Sequence, residues 1–109
     1  MNIEFFGSLI RYQKEIDEIK NYILKFPHID FLSRMRIYTH EKSIIGNFSR
    51  TCGAIIKSKK ENLNELMKIA EEGGIKIYGP KCDKLTELLL YLAETPHKEI
   101  ISGIEIWVK

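Results

Sequence analysis

Apolar residues recur at two different periods along this 109-residue chain, and the two periods predict alternating strands and helices. Between Leu9 and Phe26 the apolar residues are spaced alternately by three and four, which places them on one side of a helix. The same spacing returns in two later segments, and a proline or a glycine pair follows each of the three. The predicted helices span residues 8–26, 61–73 and 83–94.

A period of two predicts the strands, because successive side chains of a strand point to opposite faces of the sheet. The clearest case is residues 29–40, where Met35 and Ile37 face one way and a basic set faces the other. Gly46 predicts a hairpin loop after this strand, and the apolar run at 54–56 predicts the returning strand, with Gly53 marking a bulge or a close backbone approach. The predicted strands are residues 2–6, 29–40, 48–58, 75–78 and 100–108.

The resulting element order is βαββαβ followed by αβ, and its first six elements have the ferredoxin-like, or split βαβ, order. We therefore predict an α+β fold with a mostly antiparallel sheet, helices on one face and a C-terminal αβ extension. Residues 1–109 are expected to form one domain, since chains of this length commonly do. The pattern shows no internal repeat and no linker.

Composition excludes several classes of protein. Apolar residues make up 44% and charged residues 29%, which is typical of a globular domain. We find no membrane-spanning run and no signal peptide, so a cytoplasmic location is expected. The two cysteines, Cys52 and Cys82, are expected to be thiols, and no histidine or cysteine has a metal-binding spacing. We predict no cofactor and no metal.

Charge is the one feature that points toward function. The formal net charge is only +2, yet residues 31–60 carry seven basic groups and one acidic group. Such a concentration of positive charge indicates an anionic partner. The candidate nucleic-acid or anion-binding residues are Arg34, Arg36, Tyr38, His40, Lys42, Arg50, Lys57, Lys59 and Lys60.

A small non-catalytic domain that binds RNA or single-stranded nucleic acid through a basic hairpin at 31–60 is the first hypothesis. Guanidinium groups donate paired hydrogen bonds to phosphates, and Tyr38 would stack on a base. This hypothesis requires that Arg34 and Arg36 are not each paired within the protein. Known sheet-type RNA-binding domains carry several aromatic residues on the open face, whereas this strand carries one.

Three other interpretations stay open. The charged strand can simply be a solvated face that prevents aggregation. The chain can be a protein-interaction, inhibitory or regulatory module, whose basic face or open sheet edge binds an acidic protein or a second copy. A small enzyme is less favoured, although Arg50 lies close enough in sequence to Cys52 to lower the pKa of its thiol.

Overall fold

Four strands and four α-helices make up the part of the chain that the computed structural model describes, which is residues 1–39, 47–58 and 62–109. The strands are β1 (Asn2–Phe6), β2 (Leu32–Thr39), β3 (Ile75–Tyr78) and β4 (Ile101–Val108). The helices are α1 (Gln13–Leu24), α2 (Asn47–Ser58), α3 (Leu63–Glu72) and α4 (Lys84–Leu92). Short 3₁₀ turns at Ile29–Phe31 and Lys98–Ile100 lead into β2 and β4.

The sheet confirms the α+β class but not the predicted topology. The strand order is β1-β2-β4-β3, which is not the ferredoxin-like order. Both outer pairings, β1 with β2 and β3 with β4, are parallel, and only the central pairing of β2 with β4 is antiparallel. The sheet is therefore mixed, and the prediction of a mostly antiparallel sheet is wrong.

The predicted returning strand at residues 48–58 is also wrong, because this segment belongs to α2. Phe48, Cys52 and Ile55 are fully buried, and their spacing of four and three residues lies along one side of a helix. A short apolar run such as 54–56 has no period of its own that separates strand from helix. Apart from its chain neighbours and the backbone of its own helix, no described residue has an atom within 4 Å of a Cβ built on Gly53, so this glycine marks neither a bulge nor a close approach among them.

The other helices begin and end within a few residues of their predicted limits. The largest shift is in α1, which begins at Gln13 and not at Ser8. The segment between them forms turns instead. Asn62 caps α3, since its side chain accepts a hydrogen bond from the backbone N–H of Asn64 at 3.0 Å.

All four helices contribute to one core that covers a single face of the sheet. Met35 and Ile37 of β2 and Ile104 and Ile106 of β4 are buried beneath them, as the period of two predicts. Every second residue of these strands therefore points to the other face. No helix in the described part of the chain is long and apolar enough to cross a membrane.

An internal repeat that the sequence pattern did not reveal becomes visible in the topology. β1-α1-β2 forms the first unit and β3-α4-β4 forms the second, each with two adjacent parallel strands joined through a helix and a 3₁₀ turn. The first strand of each unit ends at a glycine with positive φ, Gly7 at 112° and Gly79 at 101°. A Pro-His pair precedes the second strand of each unit, at residues 27–28 and 96–97.

The central strand pairing shows how the two units are related. Arg36 lies opposite Glu105 in the register of β2 and β4, with Arg34 opposite Trp107 and Tyr38 opposite Gly103. An approximate two-fold axis therefore passes between β2 and β4 and exchanges the two units. Few residues are identical between the units, and α2 and α3 separate them in sequence, which explains why the repeat was not predicted.

Candidate functional site

The sheet face that points away from the helices, called the open face below, carries the candidate site. Its residues are exposed or half-buried, whereas their neighbours along β2 and β4 point into the core. The charged and aromatic members of the open face are Glu4, Phe6, Arg34, Arg36, Tyr38, Lys76, Tyr78, Glu105 and Trp107.

Two stacked aromatic pairs lie on the open face, one in each unit. The rings of Phe6 and Tyr38 have centroids 5.6 Å apart and planes inclined by 24°. The rings of Tyr78 and Trp107 are 5.0 Å apart and inclined by 22°. Each pair joins a sheet-edge strand to a central strand, so all four strands contribute one aromatic residue.

Three of these four aromatic residues, Phe6, Tyr78 and Trp107, were not assigned to the site from the sequence. Phe6 and Tyr78 each end a predicted strand, and their alternation with Phe5 and Ile77 was the available signal. What the sequence lacked was the strand order, which places these residues beside Tyr38 and Trp107.

Charges of alternating sign cross the open face between the aromatic pairs. The strand register aligns Glu4, Arg36, Glu105 and Lys76 in one row. Arg34 lies outside this row, yet the Nε atoms of Arg34 and Arg36 both lie 3.3 Å from the same Glu4 oxygen. Each arginine is therefore paired within the protein, so the condition set for the basic-hairpin hypothesis is not met, although the two share one carboxylate and leave an excess of positive charge.

The two guanidinium groups also contact the aromatic rings. The Arg34 guanidinium carbon lies 5.3 Å from the centroid of Trp107. The Arg36 guanidinium carbon lies 5.5 Å from Trp107 and 5.3 Å from Phe6, so it bridges the two aromatic pairs. All three distances are within the range of cation–π attraction.

Glu105 is held as a carboxylate at the centre of the face. The Tyr38 hydroxyl donates a hydrogen bond to its Oε1, and the Tyr78 hydroxyl donates one to its Oε2 at 3.0 Å. The hydrogen bond from Tyr38 is the main cause that lowers the pKa of Glu105. The same carboxylate raises the pKa values of both tyrosines, so the protons stay on the phenols.

A hollow of about 430 Å³ opens above Gly103, where β4 presents no side chain to the open face. We call it the Gly103 hollow. Tyr38, Lys76 and Glu105 line it together with residues 74, 102 and 104. It places an aromatic ring, a cation and a carboxylate around one space.

Of the remaining predicted site residues, the two that the structure describes do not join the open face. Arg50 and Lys57 lie exposed on α2, in the helical layer, so their prediction as hairpin residues is wrong. Lys57 is in the last turn of that helix, where the helix dipole favours a cation. The four other predicted residues, His40, Lys42, Lys59 and Lys60, lie outside the described residues.

The surroundings of Cys52 do not activate its thiol. Cys52 is fully buried, and burial raises the pKa of its thiol to about 11, which is the opposite of activation. Cys82 is partly exposed, and both cysteines are free thiols. Within residues 1–39, 47–58 and 62–109 we find no group of three or more histidine, cysteine or acidic side chains that could hold a metal.

Comparisons of the chain with protein-family models, with curated proteins and with solved structures give no match. A proposal about the open face therefore rests on its own chemistry. The relevant features are the two aromatic pairs, the cations around them and the Gly103 hollow.

Proposed function

We propose that this chain is a small non-catalytic domain that binds RNA or single-stranded DNA on its open face. The observation that carries the proposal is the pair of stacked aromatic platforms, Phe6 with Tyr38 and Tyr78 with Trp107, on an exposed sheet. Base stacking on such rings contributes about 1–3 kcal/mol per base and tolerates any sequence. Compared with the sequence-based hypothesis, the binding surface is the sheet face and not a basic hairpin.

Positive charge on the same face supports a phosphate-bearing ligand. Arg34, Arg36 and Lys76 outnumber the carboxylates Glu4 and Glu105. Guanidinium groups held beside aromatic rings are positioned to contact the backbone of a strand whose bases stack there. Neutralising phosphates releases their counterions, so affinity on this face would fall steeply with salt.

The geometry favours single strands over duplexes. Tyr38 lies opposite Gly103, four residues before Trp107 along β4. The two platforms are therefore about 14 Å apart along the strand direction. At the duplex rise of about 3.4 Å per nucleotide that distance is about four steps, and an extended single strand covers it with fewer nucleotides. In a duplex the bases already stack on each other and cannot use the rings.

The test is a titration of labelled single-stranded and duplex oligonucleotides at two salt concentrations. Arg34→Gln with Arg36→Gln should weaken binding to all sequences alike and make the log–log salt dependence shallower by about one to two units. Arg50→Gln with Lys57→Gln is the matched control, because it removes two charges from the helical layer. Tyr38→Ala should cost about 1–3 kcal/mol with single strands and much less with duplex.

Glu4→Gln should raise the affinity for nucleic acid, whereas the arginine variants should lower it. This substitution removes the carboxylate that Arg34 and Arg36 share, and it leaves both guanidinium groups for phosphates. We expect tighter binding with a steeper salt dependence. If the open face is only a solvated surface, none of these variants will bind single strands.

The alternative proposal is a protein-interaction or regulatory module. It is favoured by the two sheet edges, since β1 and β3 each pair with a single neighbour among the described strands. A second copy or an acidic protein would then pair with an edge or cover the face. This alternative predicts no nucleic-acid binding at moderate salt and a concentration-dependent mass in sedimentation analysis if the partner is a second copy.

A further inference from the structure

The two-fold relation between the units breaks down at one pair of equivalent positions. Arg34 in β2 and Gly103 in β4 occupy equivalent places, because Arg34 lies opposite Trp107 and Gly103 lies opposite Tyr38. Above Trp107, the planar guanidinium of Arg34 lies 5.3 Å from the ring centroid. Beside Tyr38, Gly103 offers no side chain, and the Gly103 hollow takes the place of the guanidinium.

One side of the Tyr38 ring therefore faces the open space above Gly103. Phe6 stacks against Tyr38 from β1, and β4 lies on the opposite side of β2. In the second unit the protein fills the equivalent space with its own planar cation. In the first unit the space remains for a planar group of a ligand.

The polar groups of the hollow define which planar group fits. A carboxylate has about four lone-pair sites, and the hydroxyls of Tyr38 and Tyr78 use one on each oxygen of Glu105. Glu105 can therefore accept further hydrogen bonds, but it cannot donate one. Lys76, which is exposed on the far side of the hollow, can contact a phosphate.

We infer that the Gly103 hollow is a nucleobase pocket in which a base stacks on Tyr38, donates an amino hydrogen to Glu105 and has its phosphate near Lys76. This inference rests on the proposed function and adds base selectivity to it. Adenine, cytosine and guanine carry an amino group, whereas uracil and thymine have none and offer only an imide N–H between two carbonyl oxygens that a carboxylate repels. The pocket therefore prefers amino-bearing bases to uracil or thymine.

The experiment measures the affinity of the full chain for labelled oligo(A), oligo(C) and oligo(U) of equal length at one salt concentration. We expect oligo(A) and oligo(C) to bind more tightly than oligo(U), by roughly fivefold to a hundredfold. Glu105→Gln supplies both a carbonyl acceptor and an amide donor, so it should bring the three affinities closer together. Lys76→Gln is the matched control and should lower all three affinities without changing their ratio.

Each outcome decides a different claim. Binding of all three oligonucleotides with equal affinity, or ratios that Glu105→Gln leaves unchanged in a folded protein, would overturn the pocket and leave the proposed function standing. If none of the three oligonucleotides binds, both the pocket and the proposed function are overturned. Circular dichroism and thermal unfolding establish that each variant is folded, and the comparison within the wild-type protein needs no variant.

Discussion

Tyr22 and Tyr91 each donate their hydroxyl hydrogen to the other's backbone carbonyl, both at 2.6 Å, and their rings stack with centroids 4.3 Å apart. Tyr22 lies in α1 and Tyr91 in α4, so this reciprocal contact joins the two units on the helical side. The tyrosine contact follows the same approximate two-fold symmetry as the pairing of β2 with β4 in the sheet. A second reciprocal contact pairs His28 with Glu87 and His97 with Glu18.

Replacing either tyrosine of this pair by phenylalanine should destabilise the protein by a similar amount. Tyr22→Phe and Tyr91→Phe each remove one hydrogen bond and retain the ring, so each should cost about 0.5–1.5 kcal/mol. Chemical denaturation measures the loss. Tyr78→Phe is the control, since the hydrogen bond that it removes is exposed on the open face, where water can replace it. A cost confined to one member of the pair would show that the contact is not reciprocal in solution.

The tyrosine pair should also limit stability at alkaline pH. Burial raises the pKa of Tyr22 from 10.0 to about 12 and raises the pKa of Tyr91 as well. Below pH 10 both phenols are protonated in the folded and unfolded states, so these groups do not make the free energy of unfolding depend on pH there. Between about pH 10 and 12 the unfolded state loses its phenolic protons first, so stability falls. Denaturation midpoints measured across this range should fall less in Tyr22→Phe than in the wild type.

Truncating Ile19 tests how much the buried side of α1 contributes to the stability of the fold. Its side chain is fully buried, and Ile19→Ala should cost on the order of 2–5 kcal/mol. Ile10 is 94% exposed, so Ile10→Ala is the matched control and should change stability by less than about 0.5 kcal/mol. Equal denaturation midpoints for the two variants would contradict the packing described above.

The two thiols should differ in reactivity. Cys52 is fully buried with a raised thiol pKa, whereas Cys82 is partly exposed. A thiol reagent should therefore modify one cysteine of the native protein quickly and both in denaturant, and Cys82→Ser should abolish the fast reaction. Both thiols reacting quickly in the native protein, or an internal disulfide in freshly purified protein, would refute this assignment.

Local periodicity was sufficient to predict most elements but not their arrangement. The period of two placed Met35 and Ile37 inside and Tyr38 outside, because burial of one sheet face is a local property of a strand. The strand prediction failed for α2. Its residues Phe48, Cys52 and Ile55 are buried because α3, α4 and β4 pack against that side of the helix. The helical spacing of these three residues was present in the sequence, but the apolar run at 54–56 and Gly53 favoured a strand instead.

Only part of the site could be predicted, because spacing within one strand is visible in the sequence and the adjacency of strands is not. Arg34, Arg36 and Tyr38 share one strand, so their common face follows from spacing alone. The rest of the open face depends on β2 lying next to both β1 and β4. That adjacency brings Phe6 to Tyr38 and places Glu4 between two arginines. Charge counting over residues 31–60 also included residues of α2, which the fold moves to the helical layer.

Trp107 provides the most direct test of nucleic-acid binding, because it is the only tryptophan of the chain and lies on the open face. Its fluorescence should be followed while an unlabelled single-stranded oligonucleotide is added at low and at high salt. A base that stacks against the second platform should change the emission saturably, with weaker binding at high salt and little response to duplex. An emission that stays constant over the whole titration at both salt concentrations would contradict the proposed function.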